Sequence, residues 1–127
     1  MIVLDENIRE SHLDLLRKQG IAARKLEADL TRKGTSDDDI IPILHRLKRP
    51  TFFTHDVDFW NPELSHANYC IVHLAVKPRD AAFYIRRFLS HPQFATAAKR
   101  LGVVIQVRPT GLAVYNSRHG KPENIDW

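Results

Sequence analysis

At 127 residues the chain can close one hydrophobic core but not two, so a single domain spanning 1–127 is expected. A 43% hydrophobic and 27% charged composition argues against a disordered or membrane-embedded chain, and the formal net charge of +4, spread over the whole sequence, modestly favours polyanionic partners. The start, Met1-Ile2-Val3-Leu4, turns acidic at Asp5 and Glu6 rather than opening on the basic, longer apolar run of an export signal. The one cysteine, Cys70, lies in an apolar run and has no internal partner, so a cytoplasmic setting is expected.

In chain order, Met1 to Leu4 reads as a short strand buried on both faces, with Asp5 at its carboxyl end. Ile8, His12, Leu15, Leu16 and Gln19 follow helical spacing, with Asn7 as N-cap and Gly20 as stop. Ile21 to Lys25 is a candidate second strand. Ser36 followed by Asp39 forms a capping-box pattern that opens a helix ending near Lys48, and Pro42 predicts a kink or a late start in it. Thr51 to Thr54 and Tyr69 to Val76 read as strands, the first followed at once by Asp56 and Asp58. Pro78 to Leu89 is helical, and Pro92 separates it from a second helix carrying Phe94, Ala97, Ala98 and Leu101 and ending at Gly102. Val103 to Val107 and Leu112 to Tyr115 flank the turn formers Pro109 and Gly111, which predicts a C-terminal hairpin.

This alternation implies an α/β fold with mainly parallel strands joined by right-handed crossovers, and such strands share one carboxyl edge, where ligands bind in open sheets. Asp5 and Asp56 follow two of these strands directly, and Asp37 opens a helix that starts at the same edge. Carboxylates about 5 Å apart repel by roughly 3 kcal/mol per pair at an effective dielectric of about 20, so three converging acids need compensation. A hard divalent cation, Mg²⁺ or Mn²⁺, supplies it and can support phosphodiester cleavage.

Val3-Leu4-Asp5-Glu6-Asn7-Ile8, Gly34-Thr35-Ser36-Asp37 and Thr54-His55-Asp56-Val57-Asp58-Phe59 resemble, in order and spacing, the three signature segments of the small PIN-like proteins, a group catalogued as a domain of unknown function (DUF5615). The resemblance covers most of the chain. It implies a three-layer α/β/α sandwich with a mainly parallel central sheet and a C-terminal hairpin. It also implies a metal-dependent ribonuclease, often the toxin half of a toxin–antitoxin pair, with RNA as substrate, an antitoxin protein as partner and, in many cases, a homodimeric state. Carried over by position, Asp5, Asp37, Asp56 and Asp58 are the catalytic acids, and Asp5, Asp56, Asp58 and Glu6 the metal ligands. Asn7, Arg32, Lys33 and His55 are the substrate-binding candidates. Glu27 and Asp29 are the candidates for a further carboxylate that larger PIN nucleases place ahead of the Ser36 helix. Pro42 and His55 depart from the family pattern.

Plainer readings stand beside these. Asp37, Asp38 and Asp39 suit a helix N-terminus, and Asp56 and Asp58 suit an Asx-turn. His73 reads as a packed strand residue, Trp60 as core or rim, and Arg86 and Arg87 as solvated. Two rival functions remain: a catalytically silent PIN-like module that docks RNA or protein, and a phosphoacceptor receiver domain. Against the receiver, Lys77 follows Asp56 by one strand only.

Overall fold

A computed structural model of the chain describes residues 1–26 and 37–127, with side chains of the helix that opens at Asp37 described from Asp39 onward. The described residues form a mixed α/β fold of four helices and one seven-stranded, mostly parallel sheet. Strand β1 (Ile2–Leu4) is followed by α1 (Glu10–Lys18) and β2 (Ala23–Lys25), and α2 (Asp37–Arg46) precedes β3 (Thr51–Thr54). Two 3-10 turns, Val57–Phe59 and Pro62–Leu64, carry the chain to β4 (Cys70–Leu74); α3 (Ala81–Leu89) and α4 (Ala97–Arg100) carry it to β5 (Val104–Arg108). Strands β6 (Gly111–Tyr115) and β7 (Glu123–Ile125) finish it. The order across the sheet is β2-β1-β3-β4-β5-β6-β7; the first five strands are mutually parallel, β6 pairs antiparallel with β5, and β7 pairs antiparallel with β6.

Side chains alternate across a pleated strand, so each strand serves two cores. Leu4, Phe53, Val72 and Ile105 align in register on one face and pack with Leu13 and Leu16 of α1 and Ile85 and Phe88 of α3. Val3, Phe52, Ile71 and Val104 align on the other and pack with Ile40, Ile43 and Leu44 of α2 and with Phe59. All eight strand residues are fully buried. At about 2–3 kcal/mol for each buried Phe side chain, Phe52 and Phe53 alone anchor β3 firmly to both layers. The long apolar strand runs of the sequence follow from this covering of both faces.

Several boundaries differ from the sequence reading. Helix α1 begins at Glu10 rather than Ile8, and Asn7 is not its cap; Arg9 takes that position with no side-chain bond, because the Asn7 amide is engaged by Thr54 and His55. The buried face of α1 holds His12, Leu13 and Leu16, while Leu15 is 44% exposed, so the apolar stripe is centred one residue away from the expected one. Pro42 lies inside α2, which runs through it from Asp37 to Arg46. The expected helix through Phe94 shrinks to the four residues of α4, capped by the Thr96 side chain, and Phe94 stacks on Phe88 ahead of it. The hairpin forms with Arg108 and Gly111 as its last paired residues. Strand β7 was not legible: two of its three residues are polar, and it is held as an edge strand on β6, where a Cβ on Gly111 would stand 2.7 Å from the Ile125 carbonyl oxygen.

Candidate functional site

Two residues beyond the apolar row Val3, Phe52, Ile71 and Val104, on the same face and toward the carboxyl edge, these four strands turn polar: Asp5, Thr54, His73 and Gln106. Thr54 pairs with His73 and His73 with Gln106, and the Asp5 amide donates to the Phe53 carbonyl, extending the β1–β3 ladder. All four are buried, at 4%, 0%, 5% and 8% exposure. A buried polar group without a partner costs about 1–3 kcal/mol, and here each group is paired.

Strands β1 and β3 are neighbours, with α1 leading away from one and α2 returning to the other, so the reversal of strand order, where doubly wound sheets open a crevice, falls between them. The Thr54 hydroxyl donates to Asp5 Oδ2 at 2.6 Å and accepts from the Asp56 amide at 3.0 Å. Asp5 Oδ1 accepts from the Glu6 amide at 2.8 Å. Asp56 Oδ1 accepts from the Asp58 amide at 3.0 Å, opening the Val57–Phe59 turn. The Asn7 side chain spans the two loops, donating to Thr54 Oγ1 at 3.4 Å and accepting from the His55 amide at 3.3 Å. One hydroxyl and one amide thus bind the loop after β1 to the loop after β3.

Burial raises the Asp5 carboxyl above its usual range, and the neighbouring Asp56 charge raises it further, while the Thr54 and Glu6 hydrogen bonds act the other way. A bound dication would offset both effects. Burial lowers the His55 imidazole, opposed by its contact with the Leu74 carbonyl, with His12 and Arg9 adding to the lowering. Its Nδ1 stands 3.3 Å from that carbonyl, and its Nε2 is buried without a partner among the described residues. His12 Nδ1 accepts from the Ala82 amide at 3.1 Å, fixing α1 against the start of α3.

The predicted residues therefore separate into groups. Asp5, Glu6, Asn7, His55, Asp56 and Asp58 come together in two adjoining loops; Asp56 is half-buried, and Glu6 and Asp58 are exposed. Asp37 is the first residue of α2, and its side chain lies outside the described residues, as do Arg32, Lys33, Glu27 and Asp29 altogether. Asp56 also satisfies the plainer reading, since it caps the following turn. His73 and Cys70 are buried as expected, with the Cys70 thiol pushed up to about 12 by burial. Trp60 packs on Tyr115 at the edge of the second core.

Thr54 was missed as a site residue, and so was the His73–Gln106 pair. Their signal is the recurrence of a polar residue two places after an apolar one at the end of each strand, which acquires meaning only in register. Among the described residues no group of three or more His, Cys, Asp or Glu side chains forms a metal shell. The donor set at the switch point, two carboxylates from separate loops, fits Mg²⁺ or Mn²⁺, which keep waters and need few protein ligands, and lacks the His and Cys of a zinc site. No described helix is long and apolar enough to cross a membrane. No protein-family model matches the chain, and neither the curated proteins nor the solved structures contain a match to it.

Proposed function

We propose that this chain is a PIN-like, divalent-cation-dependent ribonuclease whose Asp5 and Asp56 hold Mg²⁺ or Mn²⁺. The observation that carries the reading is the Thr54 hydroxyl, which bonds Asp5 and the Asp56 amide at once and so draws together two acids 51 positions apart. The corresponding three-layer architecture is supported by α1 and α3 sharing one apolar cluster and α2 the other. In this reading Asp5, fixed by two donors and desolvated, is a rigid oxygen ligand, with Asp37 of α2 as the third acid and Glu6 and Asp58 at the rim. Asn7 keeps the two loops at a constant separation, and His55, held below its ordinary range, stays neutral beside them. A bound cation supplies Lewis acidity toward water and phosphate oxygen. As a PIN-like toxin the chain would act in the cytoplasm, pair with an antitoxin protein and form homodimers.

RNA cleavage with Mg²⁺ or Mn²⁺, and its loss in EDTA, tests the proposal. Asp5→Asn and Asp56→Asn are each expected to lower cleavage at least about a hundredfold while remaining folded. Mn²⁺ should raise the melting temperature of the wild type and not of Asp56→Asn. Undiminished cleavage in both variants sinks the assignment. The parallel order β2-β1-β3-β4-β5 also suits a phosphoacceptor receiver, with Asp56 taking the phosphoryl group beside Asp5. Labelling of Asp56 by acetyl phosphate, without RNA cleavage, would favour that reading instead.

A further inference from the structure

The buried polar row does not stop at the two acids. Arg108, the last residue of β5, donates from Nε to Gln106 Oε1 at 2.5 Å, and Gln106 Nε2 lies 3.0 Å from His73 Nδ1. Hydrogen bonding fixes every orientation along this chain. Arginine can only donate, so the Gln106 oxygen faces it and the amide nitrogen faces His73; His73 Nδ1 then accepts, and its proton resides on Nε2. His73 is in turn the register partner of Thr54, two residues before Asp56.

Purely structural positions in the row beneath are Val, Phe, Ile and Val. A polar pair at the same depth gains no packing over an apolar one, and its defined effect is to hold a guanidinium at the carboxyl edge. Arg108 is half-buried, and no carboxylate forms an ion pair with it among the described residues; Asp126, which shares a cleft of about 260 Å³ with it, does not. Lys77, exposed just beyond β4, adds a second cation at the same edge. With Nε engaged, the outer edge of the guanidinium is left for a bidentate acceptor, the geometry that suits a phosphate.

We propose that Arg108, held by Gln106 and His73, is a docking site for a backbone phosphate of single-stranded RNA lying along the carboxyl edge from the Asp5–Asp56 pair. The proposal deepens the ribonuclease reading and rests on it for the direction of the strand. Binding of a short, fluorescein-labelled single-stranded RNA is measured by anisotropy in EDTA across a salt titration, so that cleavage plays no part. Arg108→Gln should weaken binding about tenfold and reduce the slope of log K against log salt by about 0.7, the value for one lost contact to a single strand. Gln106→Leu should weaken binding less, leave the slope unchanged, and add nothing in the Arg108→Gln background, as expected of a residue that acts by positioning Arg108. Thermal melts confirm that both variants fold. No RNA binding, or wild-type affinity and slope in Arg108→Gln, overturns the proposal. Cation-dependent cleavage that needs Asp5 and Asp56 but ignores Arg108 overturns the docking site and spares the nuclease; Arg108-dependent binding without cleavage does the reverse.

Discussion

The two ends of β1 and β3 each bury a charged group, and they handle it in opposite ways. At the amino end the Arg100 guanidinium, 6% exposed, donates from Nε to Thr51 Oγ1 at 2.8 Å and from Nη1 to the Phe94 carbonyl at 2.9 Å. Its acceptors are neutral and close around it, and the nearby Met1 amine is lowered by burial first and by Arg100 second. At the carboxyl end Asp5 is equally buried, but a second carboxylate stands beside it and further acids lie at the rim. A charge enclosed by neutral acceptors serves packing. A charge set beside one of like sign is repelled by it, and a ligand of opposite sign would offset that repulsion.

The contrast can be broken most strongly at the amino end. Arg100→Ala strands the Thr51 hydroxyl and the Phe94 carbonyl and removes the packed stem, so a loss of about 3 kcal/mol is expected in urea unfolding. RNA cleavage by the fraction that remains folded should be unchanged. A cleavage defect in stably folded Arg100→Ala would show that this end also serves the reaction.

Thr54→Val, at the opposite end, keeps the shape and removes the hydroxyl. Stability should fall by about 1–3 kcal/mol as the Asp5 oxygen and the Asp56 amide lose their shared partner. The Asp5 carboxyl should rise further, because the Thr54 bond is the largest of the effects that lower it. Cation binding, followed by thermal shift, should then require a higher pH than in the wild type.

Asp5 makes a smaller, pH-dependent contribution with a definite sign. Its folded-state value is raised, so the folded chain binds more protons than the unfolded one from about pH 4 up to that raised value. In the absence of metal, stability therefore falls as pH rises through this window, and Asp5→Asn should lack that fall. A parallel pH–stability curve for the two proteins would show that Asp5 titrates normally. The least effect is expected at Cys70: with a thiol pushed up to about 12 and no exposure, it should resist a thiol reagent until the chain unfolds.

The placement of the two acids was legible in the residues themselves. Asp5 after β1 and Asp56 after β3 were identified from strand-ending acids, and the parallel sheet brings their loops together. The cap assigned to Asn7 failed because a side-chain amide binds either a helix amide or a neighbouring loop, and which is nearer depends on folding. Leu15 in place of Leu13 on the buried face of α1 has a similar origin: periodicity defines the width of a stripe, whereas the angle at which the helix meets the sheet defines its centre. Strand β7 is too short and polar to announce itself by pattern and depends on the open edge of β6.

By itself the sequence determined the strands that must be covered on both faces, the acids that end two of them, and the parallel crossovers between, because period, run length and turn residues act locally. Tertiary structure alone decided that Thr54 joins Asp5 to Asp56 and that His73, Gln106 and Arg108 continue the same row. Those relations depend on strand register, in which a shift of one residue turns every side chain to the opposite face, and register is set by how four strands and their helices pack together.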